Sequence, residues 1–161
     1  MRLLLMRHAS AAASDDLPDH DRPLSEQGTR DARAIGRWLA RHEPLPQLVW
    51  CSSALRARQT WSAVASALFV LSDPPDPAYL RSIYTAGPRD LRALLRELPS
   101  SADSLLVIGH NPTMAQVLSA VTGESGGFPA GSVAVLDVAD PSSDPGTWRL
   151  ARFATPADSS S

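Results

Sequence analysis

The sequence contains no lysine: all fifteen of its basic residues are arginine. That absence excludes Schiff-base chemistry, pyridoxal phosphate attachment and the P-loop lysine, each of which depends on an amine. It leaves guanidinium forks, which suit bidentate binding of a phosphoryl group. Cysteine is nearly absent as well. Cys51 stands alone, so there is no internal disulfide framework, no metal-ligand spacing with the scattered histidines, and no structural metal is expected. No apolar run approaches the roughly 18 residues of a membrane span. The N-terminal apolar stretch is four residues long, too short for a secretory signal. The expectation is a cytoplasmic protein with no membrane partner. A net charge of −2 without a basic block argues against a nucleic-acid partner.

What is present reads as one domain. At 161 residues, 43% hydrophobic and 20% charged, the chain can bury a core without staples. The domain is expected over residues 1–155, with a disordered tail at 156–161. Residues 2–6 form a first strand, followed by a polar loop. Ser25 caps a helix that carries Ala32, Ile35 and Leu39 on one face and stops near Pro44. Residues 48–51 form a second strand, and Ser53 could cap a helix running to about Leu68. The Asp73-Pro74-Pro75-Asp76-Pro77 cluster must be a loop, because proline fixes φ and lacks a donor. Leu91, Leu94, Leu95 and Leu98 mark a helix ending at Pro99. Residues 105–108 form the strongest strand, and Pro112 suits the first position of a helix closed by Gly123. Two more strands, 132–138 and 147–153, flank a turn at 140–146. Alternating strands and helices predict a largely parallel sheet with helices on both faces, and the late strand pair adds an antiparallel member. Ligands of such sheets bind beyond the carboxyl ends of the strands.

Two apolar strands end there in a histidine: Leu3-Leu4-Leu5-Met6 runs into Arg7-His8, and Leu105-Leu106-Val107-Ile108-Gly109 into His110. Parallel neighbours would bring these imidazoles together. The strand ending at Trp50-Cys51 leads to Arg56 at the same edge. Arg7 and Arg56, aided by the helix N-terminus at Asn111-Pro112, would make a cradle for a phosphoryl group. A neutral imidazole inside it is a nucleophile that forms a phosphoramidate, and the arginines would stabilise the equatorial oxygens without a metal or other cofactor. A cysteine phosphatase loop fails by one position: it needs an arginine six residues after the nucleophile, and six after Cys51 is Ala57. Cys51 reads as a small buried strand residue. His20 reads as a solvated loop residue, His42 as a helix C-terminal cation, and Trp38, Trp50 and Trp61 as core or partly buried.

Arg7-His8-Ala9, Arg22-Pro23-Leu24-Ser25 with Gly28, Ser52-Ser53-Ala54-Leu55-Arg56-Ala57-Arg58-Gln59-Thr60, and Gly109-His110-Asn111-Pro112 together resemble the histidine phosphatase superfamily, in particular its SixA-type phosphohistidine phosphatases. The resemblance implies a phosphoglycerate mutase-like, three-layer α/β/α fold with a mixed, mostly parallel sheet. It implies transient phosphorylation of His8, with Arg7, Arg56 and His110 on the phosphoryl group and Asn111 beside them. Arg22 either reaches the same pocket or fixes its loop. Two departures stand out. Ala9 replaces the family's usual glycine, which is harmless if its φ is negative. No carboxylic acid lies around Arg81-Ser82-Ile83-Tyr84, where ester-hydrolysing members carry a proton donor; Asp19, Asp21 and Asp90 remain as candidates.

That gap bears on substrate class. An alkoxide departs poorly without a proton, whereas the imidazole of phosphohistidine can be protonated on its far nitrogen by solvent. The expected substrate is therefore a phosphohistidine-bearing protein, such as a histidine-phosphotransfer domain or a phosphotransferase-system carrier, entering a shallow, open site. A small-molecule phosphomonoesterase or a silent phosphate-binding regulatory module are the alternatives.

Overall fold

The computed structural model describes residues 1–143 and 148–160. Six strands form one sheet: β1 (Arg2–Arg7), β2 (Leu48–Ser52), β3 (Ala78–Leu80), β4 (Ser104–Gly109), β5 (Val133–Asp137) and β6 (Arg149–Ala154), in the order β3-β2-β4-β1-β5-β6. β1 to β4 are mutually parallel where they pair, while β5 runs antiparallel to β1 and β6 antiparallel to β5. This is a mixed, mostly parallel sheet, as the resemblance implies.

The strands are nearly continuous in apolar residues because both faces are covered. Leu4 and Met6 of β1 join Leu106 and Ile108 of β4 under α1 (Glu26–His42) and α2 (Leu55–Leu68). Leu3, Leu5, Leu105 and Val107 face the other way, toward α3 (Arg81–Thr85), α4 (Pro88–Arg96) and α5 (Thr113–Thr122). The two-residue period of a strand divides one sequence between two cores. Each fully buried leucine contributes on the order of 2 kcal/mol.

Helix ends follow local chemistry. Ser25 Oγ accepts the Gly28 N–H at 2.9 Å and caps α1. Gly28 also lets α1 approach the loop beyond β1: a Cβ there would lie 2.1 Å from the Ser10 carbonyl oxygen. Gly123 closes α5 at φ 77°, the left-handed conformation that favours glycine.

Several boundaries depart from the sequence expectations. Ser53 does not cap α2; Ala54 holds the N-cap position, and its N–H is taken by Ser52 Oγ at 3.2 Å. α5 begins one residue after Pro112, although Met114 N–H still bonds to the His110 carbonyl at 2.9 Å. β3 and α3 follow the proline cluster unannounced, since a three-residue edge strand and a five-residue helix are too short to show a period. In the segment expected as a tail, a 3-10 turn spans Asp158–Ser160, Asp158 Oδ2 accepts from Thr155 N–H and Oγ1, and Ser159 is buried. Residues 144–147, within the expected turn and at the start of the last strand, lie outside the described residues. No helix among the described residues is long and apolar enough to cross a membrane.

Candidate active site

Adjacent parallel β1 and β4, in register from Arg2↔Ser104 to Arg7↔Gly109, deliver His8 and His110 to the same edge. Their ring centroids lie 5.0 Å apart, tilted by 58°. β2 ends one strand further along, so Ser52 and the first turn of α2 reach that edge too. Arg56, only 6% exposed, lies across the gap between the two rings. Its Nε donates to His8 Nε2 at 3.3 Å and one terminal nitrogen lies 3.4 Å from His110 Nδ1.

These contacts fix the proton positions. His8 Nδ1 is 2.7 Å from the Ala9 carbonyl oxygen, which can only accept, so Nδ1 carries the hydrogen and Nε2 the lone pair. A guanidinium can only donate, so His110 Nδ1 accepts and its Nε2–H points to Ser52 Oγ at 2.7 Å. Burial first, then the positive charge of Arg56, Arg7 and Arg22, pushes His8 down to about 4. Burial, aided by His8 and Arg56, pushes His110 down to about 3. Both rings are neutral at neutral pH, the state in which imidazole is a nucleophile.

Backbone hydrogen bonds hold the segment that carries His8. His8 N–H bonds to the Gly109 carbonyl, Gly131 N–H to the carbonyls of Arg7 and His8, and Ala9 N–H to Thr60 Oγ1, which donates to the Arg56 carbonyl. Ala9 is fully buried, and no non-glycine residue among those described has a positive φ, so alanine replaces the family glycine without strain.

Arg7 donates one terminal N–H to the Phe128 carbonyl at 3.0 Å, and Asn111 Nδ2 donates to the same oxygen at 3.1 Å. Asn111 thus helps fix the seat of Arg7. Arg7 Nε and Arg22 Nε are buried without hydrogen-bond partners, so donors remain in hand around an anion site. Arg7, Arg22 and Arg56, set against the single carboxylate of Asp19, leave a net charge of +2, which matches a phosphoryl dianion.

Of the three candidate proton donors, the fold brings one to the site. Asp19 Oδ2 accepts from Arg56 at 3.0 Å and from the Tyr84 hydroxyl at 2.8 Å, and Oδ1 lies 3.8 Å from Arg22 Nε. The Tyr84 hydrogen bond and the Arg56 and Arg22 charges hold its carboxyl below the usual range. It therefore stands as a carboxylate, an acceptor. Asp21 is exposed, 3.5 Å from His20 Nδ1, and Asp90 caps α4 by accepting Gly87 N–H at 2.9 Å.

The fold brings four further side chains to this edge. His20 is not simply solvated: its Nε2 lies 2.9 Å from Ser53 Oγ and its ring packs edge-on to Tyr84 at 4.8 Å. Tyr84 also stands edge-on to His110 at 5.6 Å. Ser52 orients His110, and Thr60 supports Ala9. Ser52 and Thr60 lie inside the recognised stretch 52–60, where a hydroxyl at the end of β2 and another one turn along α2 were the available signals. Burial pushes the Cys51 thiol up to about 12, which leaves no thiolate to compete as nucleophile. Two surface hollows of 490 and 530 Å³ open at the opposite edge of the sheet, around Met1.

The histidine phosphatase superfamily (branch 1) model matches residues 3–76. The phosphohistidine phosphatase SixA of Escherichia coli (strain K12) is 31% identical over 121 residues, 74% of this chain and 73% of that protein. An uncharacterized protein of Mycobacterium tuberculosis (strain H37Rv) is 35% identical over 164 residues, 94% of this chain and 99% of the relative. A solved chain from Agrobacterium tumefaciens that bears the SixA name superposes with a TM-score of 0.83 at 34% identity, covering 96% of this chain and 97% of its own. A structure of the protein histidine phosphatase SixA with tungstate gives 0.79 at 27% identity, with 98% of each chain covered.

Proposed function

The chain belongs to the histidine phosphatase superfamily, and from that premise we propose that it is a phosphatase that removes phosphate from phosphohistidine on a protein, through a phospho-His8 intermediate and without a metal ion. The observation that carries this reading is the Arg56 fork, which contacts the lone pair of His8 Nε2 and His110 Nδ1 while both rings are neutral.

A phosphoryl group entering between the rings meets His8 Nε2. The lone pair forms the P–N bond as the bond to the substrate nitrogen breaks, and that electron pair leaves with the substrate ring. Arg7 and Arg56 hold the equatorial oxygens, the role a metal ion plays in other phosphoryl transfers. Water then attacks phosphorus, the electron pair returns to Nε2, and orthophosphate departs with the released proton passing to solvent. Transfer between two imidazoles is nearly balanced in energy, so positioning and charge supply the catalysis.

The resting carboxylate at Asp19 supports this substrate class over alkyl esters, whose leaving oxygen needs a proton. A histidine-phosphotransfer domain or a phosphotransferase-system carrier, presenting its phosphorylated side chain to a part-exposed site, is the partner class. The test is phosphate release, in a chelator, from a histidine-phosphorylated protein and from a panel of alkyl phosphates, by wild type and His8→Ala. Release from phosphohistidine alone, lost in the variant, is expected. Release mainly from a metabolite would replace this reading with a small-molecule phosphomonoesterase, and no release at all would favour a phosphate-binding module.

A further inference from the structure

Beyond the phosphoryl cradle stands a second group of side chains, on the loop after β1 and on α3: Asp19, His20 and Tyr84, with Ser53 at the end of β2. None is needed to hold the phosphoryl oxygens. Resting on the phosphohistidine reading above, we propose that this rim is the subsite for the departing imidazole: Asp19 Oδ1 accepts the N–H of the ring nitrogen remote from phosphorus, and the Tyr84 ring walls the pocket.

Position is the first support. Arg56 touches His8 Nε2 with Nε and Asp19 Oδ2 with a terminal nitrogen, so the carboxylate stands one guanidinium and two hydrogen bonds from the nucleophile. In-line displacement puts the leaving group on the side of phosphorus away from His8. An alkyl oxygen ends at the breaking bond. An imidazole extends a ring width further and presents a second nitrogen there.

Valence is the second. Oδ2 is filled by Arg56 and Tyr84, whereas Oδ1 has only Arg22 Nε at 3.8 Å, outside hydrogen-bond range, and Asp19 is exposed. The acceptor lone pairs of Oδ1 face an open approach. Tyr84 gives its hydroxyl proton to Asp19 and packs edge-on to both His20 and His110, which fixes its ring as a wall. His20 is itself held by Ser53.

Electron bookkeeping gives the reason for an acceptor. If the remote nitrogen holds a proton, the pair from the breaking P–N bond neutralises the ring, and neutral imidazole leaves. If it does not, the leaving group is imidazolate, far more basic and slower to depart. A carboxylate on that N–H favours the protonated substrate, and so the form from which neutral imidazole can leave. The same carboxylate has no proton to give an alkoxide. One residue thereby assists one substrate class and not the other.

The test compares wild type and Asp19→Asn on two substrates: phosphoimidazole, and its analogue methylated on the remote nitrogen, which is permanently cationic and has no N–H to donate. Asparagine occupies the same exposed loop position, and a thermal melt checks the fold. On phosphoimidazole, kcat/KM is expected to fall at least 30-fold, and the loss on the methylated analogue to be at least tenfold smaller. Equal losses on both would show that Asp19 acts only by setting Arg56 and would overturn the subsite while leaving the phosphohistidine reading intact, as would no loss on either. A wild type that turns over neither compound nor a histidine-phosphorylated protein, yet hydrolyses alkyl phosphates, overturns the underlying reading and the subsite with it.

Discussion

Two histidines buried in neutral form make the fold sensitive to acid in a pH window that can be isolated. His8 is held at about 4 and His110 at about 3, against about 6.5 for an unfolded chain. Below pH 6.5 the unfolded chain therefore takes up protons that the folded one refuses, and the equilibrium moves toward unfolding as pH falls. Their contribution is complete above pH 6.5 and is lost progressively down to about 4 for His8 and about 3 for His110. At pH 5 each ring lies about 1.5 units under its unfolded value, a loss of about 2 kcal/mol per ring relative to pH 7. The depressed carboxylates Asp19 and Asp137 change protonation only at lower pH, so the interval from 7 to 5 belongs to the histidines. Urea unfolding at both pH values, for wild type, His8→Gln and His110→Gln, measures this directly. Each variant should lose about 2 kcal/mol less than wild type across the interval. Equal pH losses in all three proteins would refute the claim that both rings are held neutral by burial.

Other perturbations follow from single contacts. Arg56→Lys replaces a fork that reaches His8, His110 and Asp19 with a point charge, so kcat should fall by about 10²–10³ in steady-state phosphate release. Ser52→Ala removes the acceptor of His110 Nε2–H at 2.7 Å; nitrogen NMR should show a mixed His110 tautomer, and kcat should drop about tenfold with stability changed by about 1 kcal/mol. Gly28→Ala drives a methyl into the Ser10 carbonyl, 2.1 Å from the ideal Cβ, and should destabilise by about 1–3 kcal/mol in denaturant melts. Unchanged melts there would mean that α1 does not sit so close to the loop beyond β1.

The placement of the candidate site was legible because its parts lie at the ends of elements with strong local signals. Buried apolar runs stop at His8 and His110, Ser25 caps α1, and Gly123 closes α5. Strand order was not legible: that β4 sits between β1 and β2, which brings the imidazoles within 5.0 Å, depends on nonlocal pairing. The rim was missed for the same reason. Tyr84 reaches Asp19 across 65 positions and Arg56 reaches it across 37, and no local period marks either contact. Asp19 was named only as a candidate proton donor, with no sign in the sequence of its partners Arg56 and Tyr84.

The central claim is that His8 Nε2 receives the phosphoryl group. The measurement that tests it most directly is rapid quench of the enzyme with a histidine-phosphorylated protein, followed by phosphorus NMR and peptide mapping of the trapped species under alkaline conditions. The account predicts an acid-labile phosphoramidate on His8 that forms and decays at rates matching turnover, and that is absent in His8→Ala. Phosphate release at an undiminished rate by His8→Ala, or a phosphorylated residue other than His8, would contradict it.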